Sequence, residues 1–374
     1  MSFTTSLGYT PTYQIFYNGT DITGKFNDRV TSIKVQSKDG GGQGDVLDIT
    51  LDDRDFLIEA PATDGSANID LLLGYKEGAL YEQGNFQINT VWYEGPPKSM
   101  RLRGTSQGFT NAAKSPLIMS HDGKTLGDIV DAIAQSAGVG SSISSDLASQ
   151  KIQYLNQHSS SFHLLQELER RYNGLAKFEN GMLSFTTRGS GISASGQFLG
   201  GFELTPEDFG TWSIKQEART AYSNVRVSYW DKDQHQLAWL KNTIPAFGGG
   251  TVPYMVKRAM NTQEEAQKVA DSKMDALNRG VETGSLTLAK GDPSIRGGSP
   301  FIISGMRDGI NGSWVVTTAT HTYTKSEGIL TTLDFYNPGN DTGQIASQIS
   351  NESQVDTSGV TPTTSSGSGG IGHM

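Results

Sequence analysis

The chain has 374 residues, and 39 acidic against 30 basic residues give it a formal net charge of −9 at neutral pH. This balance argues against tight binding to nucleic-acid phosphates, which requires clustered lysine and arginine. Cysteine is absent, which excludes disulfides and thiolate metal sites. The length favours two to four domains, and the 45 glycines predict many strands and turns.

The N-terminal stretch lacks the basic and then apolar character of a secretion signal. No apolar run has the length that a membrane span requires. We therefore expect synthesis as a soluble chain in the cytoplasm, without membrane insertion.

Residues 1–110 are predicted to form a β-domain, because short segments alternate apolar and polar positions between turn signals. These segments are TSIKVQS, DVLDITLDD, NFQINTVWYEG and SMRLRGTS, separated by DGGGQG at 39–44 and by GPP at 95–97. Such strands at close spacing favour a barrel or a sandwich. The acidic run LDDRD, 51–55, lacks the spacing of a calcium loop and is interpreted as a charged turn that closes a strand.

Residues 111–205 have a different, α+β texture. The stretch GKTLGDIVDAIAQSAGV, 123–139, begins like the second half of a phosphate-binding loop. That loop needs a glycine five positions earlier, where this chain has Ile118. We instead predict that Thr125 caps a helix, with Asp128 at its third position and Gly138 at its end. The predicted buried stripe of this helix is Leu126, Ile129, Val130, Ile133, Ala134 and Ala137.

A second helix is predicted in SSFHLLQELERRYNG, with Phe162, Leu165, Leu168 and Tyr172 on one side and its end at Gly174. A hairpin around Asn180-Gly181 follows it. Glu167 and Glu169 lie two positions apart and are interpreted as solvated helix residues rather than a catalytic pair.

Residues 206–340 return to strand patterns, interrupted by a helix at 262–279 with a predicted capping box of Thr262 and Glu265. Before that helix, Val225, Val227 and Tyr229 are predicted to share one face of a strand.

Residues 341–374 contain no lysine, arginine or aromatic residue and are predicted to be a flexible tail. Its spaced apolar residues Ile345, Ile349 and Val355 are the candidate partner-interface residues. The alternative is a plain disordered terminus.

No motif predicts an enzyme. The six histidines, at 121, 158, 163, 235, 321 and 373, do not have the spacing of a helical zinc pair, and no Gly-x-Ser-x-Gly elbow is present. No catalytic residue, cofactor or metal is therefore predicted. The tryptophans, at 92, 212, 230, 239 and 314, are interpreted mostly as core residues rather than a sugar-stacking platform.

Five segments, by their order and spacing, resemble the late control protein D family, the tail hub proteins of contractile-tailed phages. They are SIKVQSKDGGGQGDVLDITLDDRD, NFQINTVWYEGPPKSMRLRG, TLGDIVDAIAQSAGV, SFHLLQELERRYNGLAKFENGMLSF and GSWVVTTATHTYTKSEGILTTLDFY. The last places His321 at the family's usual histidine position. The chain is also similar to the hub portion of type VI secretion spike proteins, and the resemblance spans about 30–336.

The resemblance implies a mainly β fold with α+β insertions, in which two tube-like β-barrel domains, 1–110 and 206–340, are related by pseudo-symmetry. The α+β domain 111–205, a helical and hairpin domain, lies between them, and the tail 341–374 follows. Three subunits would present six barrels in a ring within the virion baseplate.

The implied partners of this ring are the tail tube protein above, the central spike protein below and the baseplate wedge proteins, with the tape-measure protein as a further candidate. DNA would pass through the lumen without specific binding. The tail stands where the type VI proteins carry a needle, which favours a separate spike protein.

Other functions stay open at this stage. The same hub could serve a phage-derived tail-like bacteriocin or another contractile injection system. From other classes, a tail-associated cell-wall hydrolase or a glycan-binding module would each need a site that the sequence does not reveal.

Overall fold

The computed structural model describes residues 9–40, 44–106, 115–179, 181–191, 201–216, 222–243, 252–279 and 282–338. Strands dominate these residues, and the few helices concentrate in two stretches of the chain. The predicted mainly β fold class with α+β insertions is confirmed.

The first β region folds around one apolar core. Its elements are β1 (Pro11–Tyr17), β2 (Thr20–Asp21), helix α1 (Thr23–Phe26), β3 (Val30–Lys38), β4 (Val46–Asp52), β5 (Asn68–Tyr75), β6 (Leu80–Glu94) and β7 (Ser99–Ser106). The hydrogen-bonded order is β3-β4-β7-β6-β5-β1-β2, and every neighbouring pair is antiparallel. Residues on the inner face of these strands, such as Ile33, Leu47 and Leu71, are fully buried and alternate with more exposed ones, as the period of two requires.

The region that follows is α+β, as predicted. It contains β8 (Met119–Ser120), α2 (Leu126–Ala137), β9 (Gly140–Ile143), α3 (Ser145–Ala148), β10 (Asn156–Gln157), α4 (Ser161–Tyr172), β11 (Gly174–Glu179) and β12 (Met182–Thr187). β11 and β12 form the predicted antiparallel hairpin, and β9 adds to β12 in parallel. On α4, Leu165, Leu168 and Tyr172 are buried as expected, but Leu164 is buried in place of the half-buried Phe162.

The second β region contains a large insertion. Its elements are β13 (Phe202–Leu204), β14 (Phe209–Gln216), β15 (Tyr222–Asp231), β16 (Gln236–Thr243), β17 (Val252–Met255), α5 (Gln263–Arg279), β18 (Glu282–Leu288), β19 (Pro300–Ile303), β20 (Gly312–Thr324) and β21 (Gly328–Tyr336). β14, β18, β21, β20 and β19 pair in this order, all antiparallel, and β13 adds to β19 in parallel.

The inserted segment is a folded layer of its own rather than a helix alone. β15 lies between β16 and β17 in a separate three-stranded sheet, and α5 covers one face. Val225 and Val227 are fully buried against this helix and Tyr229 packs beside them, so the predicted shared face is confirmed. Thr262 Oγ1 accepts a hydrogen bond from the Glu265 N–H at 3.2 Å, as a helix cap does. The Glu265 carboxylate, however, accepts from the Asn261 N–H instead of closing the predicted capping box.

The two β regions contain the same five-stranded unit. We call β3-β4-β7-β6-β5 the first sheet unit and β14-β18-β21-β20-β19 the second sheet unit; strand order and antiparallel pairing are the same in both. The long strand of each unit has a bulge at the corresponding place. In β6 it falls between Ile88 and Thr90, and in β20 between Val316 and Thr318.

The two units are joined edge to edge. Residues 318–324 of β20 pair antiparallel with residues 32–38 of β3, which makes one thirteen-stranded sheet. The segment 289–299, which we call the junction loop, fastens this joint. The Tyr75 hydroxyl donates to the Gly291 carbonyl at 2.8 Å, and the Arg296 guanidinium donates to the Gln83 carbonyl at 3.0 Å. At Gly297 a Cβ would lie 2.2 Å from the Lys38 carbonyl carbon, so only glycine fits.

Candidate assembly surfaces

The motif that resembles a phosphate-binding loop is a helix cap. Asp128 Oδ2 accepts from the Thr125 N–H at 2.9 Å, and the Asp128 N–H donates to Thr125 Oγ1 at 3.1 Å. The bonds from Thr125 lower the pKa of the Asp128 carboxyl. Gly138 ends the helix in the left-handed conformation, at φ 74°. The capping interpretation is therefore confirmed, and the whole predicted apolar stripe of α2 is buried.

The acidic run after β4 is a charged turn, as predicted. Arg54 Nε lies 3.0 Å from Asp52 Oδ2. Asp55 binds the Arg29 guanidinium through both carboxylate oxygens, one of them at 3.2 Å. Across the part of the chain that the structure describes, no cluster of three or more histidine, aspartate or glutamate side chains could hold a metal ion.

His321 is a structural residue at the joint between the sheet units. It is fully buried, with Nε2 2.9 Å from the Ile295 carbonyl and Nδ1 3.0 Å from Thr331 Oγ1. Because a carbonyl only accepts, Nε2 must carry the proton and Nδ1 must accept from the hydroxyl. Burial lowers the pKa of His321 to about 4, so the ring is neutral at pH 7. It therefore fixes the junction loop to β20 and β21.

Glu94 and the two glutamates of α4, Glu167 and Glu169, have structural partners. Glu94 lies 3.8 Å from Arg101, and Glu167 lies 3.4 Å from Arg258, both at the surface. The interpretation of Glu169 as a solvated residue is wrong. It is buried, and its Oε1 accepts from the Ala176 N–H at 2.7 Å, joining α4 to the start of β11.

The interpretation of the tryptophans as mostly core residues is also wrong. Trp314 is buried, and its Nε1–H donates to the Ile310 carbonyl at 3.0 Å. Trp92 is half-buried under the Arg101 guanidinium, 4.2 Å from the ring centroid. Trp212, Trp230 and Trp239 are each about half exposed. Strand periodicity places such residues on a face but does not tell whether another layer covers that face.

Two of these tryptophans define an exposed apolar face on the inserted sheet, opposite α5. Trp230 pairs with Leu237 across β15 and β16, and Trp239 lies opposite Ser228 one step along. Met255, next to Arg226 on β17, extends the face. The four apolar side chains are 47–52% exposed. Contiguous exposed apolar residues of this kind are typical of protein interaction surfaces.

The second candidate surface consists of two open sheet edges. Among the described residues, β14 pairs with β18 and with no strand on its other side. In the part of the chain that the structure describes, the distal half of β6, Thr90–Glu94, pairs with β7 alone, because β5 ends its pairing at Gln87. Both edges carry exposed aromatic residues, Trp212 on β14 and Tyr93 on β6. An unpaired strand edge is a template for another strand.

The predicted interface residues Ile345, Ile349 and Val355 lie outside the described residues, as does Asn180 of the predicted turn. Among the helices that the structure describes, none combines the length and apolar character required to cross a bilayer.

No family model matches the chain. Two curated proteins that resemble it carry the same name. The chain is 28% identical over 373 residues to the "Probable baseplate hub protein" of Escherichia phage P2, covering 89% of this chain and 95% of that protein. It is 27% identical over 364 residues to the protein of the same name from Escherichia phage 186, with coverages of 87% and 92%. The resemblance to phage tail hub proteins inferred from the sequence is confirmed by these relatives.

Solved structures of a prophage tail protein and of a type VI secretion component resemble the chain in fold. The 43 kDa tail protein of prophage MuSo2 from Shewanella oneidensis superposes with a TM-score of 0.65 at 13% identity, covering 88% of this chain and 99% of that one. The Escherichia coli c3393 protein, a component of the type VI secretion system, superposes with a TM-score of 0.50 at 10% identity, covering 82% and 73%. At these identities the likeness shows a shared fold.

Proposed function

We propose that this protein is the structural hub of a phage tail baseplate, a homotrimer that adapts a six-fold tail tube to a three-fold central spike. The observation that carries the proposal is the pair of five-stranded sheet units with the same order, joined edge to edge within one chain. Three chains with two units each supply six similar units. One face of such a ring fits a six-fold partner, and the other fits a three-fold partner. The two relatives named as probable baseplate hub proteins support the same role.

Each region of the chain has a part in this hub. The barrel domains 1–110 and 206–340 form the ring, and the α+β domain 111–205 and the inserted layer lie on it. The exposed face of Trp230, Leu237, Trp239 and Met255 is a candidate contact for the tube, wedge or tape-measure proteins. The tail 341–374 docks on the spike through Ile345, Ile349 and Val355, with a plain disordered terminus as the alternative.

The net charge is consistent with a channel for DNA. A chain with a charge of −9 repels phosphates rather than gripping them, so a strand of DNA slides through the lumen without specific binding. The protein is made in the host cytoplasm and works in the virion, as a structural protein and not an enzyme.

The mass of the purified protein in solution tests the ring. Light scattering after size exclusion should give about 121 kDa, three times 40.2 kDa, for the protein alone or with its spike protein. A particle image should then show a central hole. A stable monomer at every concentration, with and without the spike, would contradict the proposal.

A tail-like bacteriocin or another contractile injection system would use the same hub, and genes for a capsid beside this one would distinguish the phage. One observation favours a second class, glycan binding: Trp230 and Trp239 are about half exposed on one sheet face. Saturable binding to cell-wall glycans that Trp239→Ala abolishes would support that class. A hydrolase would release peptidoglycan fragments, which we do not expect.

A further inference from the structure

The two sheet units differ at one corresponding edge. In the first unit, the outer edge of β3 is covered by β20. In the second unit, the corresponding edge of β14 is open among the described residues. The strand that covers β3 is the distal half of β20, and its counterpart, the distal half of β6, is also open within the described ranges. One chain therefore has two open edges, one like β3 and one like the distal half of β20. These are the two edges that form the joint between the sheet units.

The bulges give the residue correspondence. Val91 and Ala319 each lie three residues after the residue that precedes the bulge, Ile88 or Val316. The cross-strand pairs then run Val91–Leu102–Ile49–Ile33 in the first unit and Ala319–Leu333–Leu286–Trp212 in the second. Trp212 thus occupies the position of Ile33. Two residues further along the long strand, Tyr93 occupies the position of His321.

Equivalent residues are buried at the covered edge and exposed at the open edges. Ile33 and His321 are both fully buried at the internal joint. Their counterparts Trp212 and Tyr93 are 49% and 64% exposed. Both lie on the core side of their strands, since Trp212 shares a face with Ile214, and Tyr93 with Val91, which pack on the two cores. A strand added to each edge would cover these aromatic rings.

We propose that β14 of one copy pairs antiparallel with the distal half of β6 of a second copy, repeating between chains the joint that β3 and β20 form within one. The internal register, transferred by the correspondence above, gives the pairs Val91–Gln216, Trp92–Lys215, Tyr93–Ile214 and Glu94–Ser213. The number of copies in the ring rests on the proposed function; the interface itself rests on the repeat.

The chemistry of the two edges is compatible with this pairing. Tyr93 meets Ile214 on the core side, an aromatic opposite a β-branched residue, which is a favourable cross-strand pair. On the outer side, the Lys215 ammonium lies diagonal to the Glu94 carboxylate, within reach of a long side chain. The contact is heterologous: each copy gives β14 to one neighbour and the β6 edge to the other. Such head-to-tail contacts close into a ring when the rotation from one copy to the next closes.

Disulfide trapping tests the register. The chain has no cysteine, so Ser213→Cys with Glu94→Cys introduces its only thiols, at exposed positions. Opposed residues of antiparallel strands have Cα atoms about 4.5–5.5 Å apart, within disulfide range. Under oxidation we expect dimers and trimers linked between chains, while either single substitution gives dimers at most. Lys34→Cys with Thr322→Cys is the matched control, because this equivalent pair lies opposite within one chain; it should close without joining chains.

A second measurement does not depend on disulfide geometry. Trp212→Asp should raise the dissociation constant of the trimer at least tenfold, because an aspartate would be buried at the joint. Trp239→Asp, at an equally exposed tryptophan of the inserted sheet, should leave trimer formation unchanged. Circular dichroism checks that both variants remain folded.

The outcomes separate the interface from the function. A wild-type trimer that Ser213→Cys/Glu94→Cys fails to link, while the control pair closes, would overturn the interface and leave the proposed hub in place. A trimer unaffected by Trp212→Asp would do the same. A wild-type monomer under all conditions would overturn both.

Discussion

The first and second sheet units share a strand order but differ in what their hairpins carry. In the first unit, β3 and β4 are connected by residues 39–45 alone. In the second, the corresponding hairpin of β14 and β18 holds residues 217–281, including a sheet and a helix with a core of their own. A hairpin tip lies outside the core, so a folded layer is accommodated there without a change in strand pairing. The two units therefore share their strand pairing but differ in the segments that connect the strands.

The units also differ in how equivalent residues are used. At the covered edge, the chain has small or compact core residues, Ile33 and His321; at the open edges it has large aromatics, Trp212 and Tyr93. The fold position is the same, but the neighbouring strand decides whether the residue is core or surface. Two pairs of substitutions and one single substitution sharpen this contrast.

The largest difference is expected between Ile33→Ala and Trp212→Ala. Ile33 is fully buried, and its truncation should lower the free energy of unfolding by about 2–5 kcal/mol. Trp212 is half exposed, so its truncation should cost less than about 2 kcal/mol in the isolated chain, since surface positions tolerate change. Urea unfolding of protein diluted to the monomer measures both. Equal losses would show that the open edge is already covered within one chain.

A pH effect should separate His321 from its counterpart Tyr93. Burial holds the folded pKa of His321 at about 4, below the unfolded value of 6.5, so the unfolded chain takes up the proton first as the pH falls. Stability should therefore be fully present above about pH 6.5 and fall by roughly 3 kcal/mol towards pH 4. Nearby Asp292 opposes this shift, and Arg296 reinforces it.

The comparison uses His321→Gln and Tyr93→Gln. In His321→Gln, the free energies of unfolding at pH 7 and pH 4.5 should lie closer together than in the wild type. In Tyr93→Gln, the difference between the two pH values should be as large as in the wild type. An unchanged pH dependence in His321→Gln would place the titrating group elsewhere.

The smallest effect concerns an ion pair that only the first unit has. Arg103 on β7 binds Asp48 on β4 through two bonds of 2.9 Å, whereas Asp334 and Ser285 occupy the corresponding positions in the second unit. The Asp48 carboxylate raises the pKa of Arg103. Asp48→Ser should lower stability by less than about 1 kcal/mol, an effect that salt reduces, because Arg103 is partly exposed. Denaturation at low and high ionic strength measures it; a loss that salt does not change would indicate a packing role instead.

Local features of the structure were predictable from the sequence. The cap of α2 depends on Thr125 and Asp128 alone, and β11 pairs with β12, its neighbour in sequence, so short-range rules sufficed. Strand alternation likewise identified buried faces in β3, β4 and β15. The resemblance to tail hub proteins came from the order of such segments.

Features that depend on contacts between distant segments were not predictable in this way. The burial of Glu169 arises from an N–H seven residues away, beyond the end of its helix. The exposure of Trp230 and Trp239 depends on the absence, within the described residues, of a layer over their sheet. The pairing of β3 with β20 joins residues from opposite ends of the described chain, which no local pattern encodes.

That long-range pairing has a consequence during synthesis. β3 leaves the ribosome early, but the strand that covers its edge is completed only at Thr324, near the end of the described chain. The first unit is complete at Ser106, so 324 − 106 = 218 further residues must be made before its β3 edge can be covered. At about 5–20 residues per second, this takes on the order of ten to forty-five seconds. Several nascent chains on one messenger RNA therefore hold uncovered β3 edges close together. A correctly joined subunit then forms only if β3 pairs with β20 of the same chain before it pairs with β20 of a neighbouring chain.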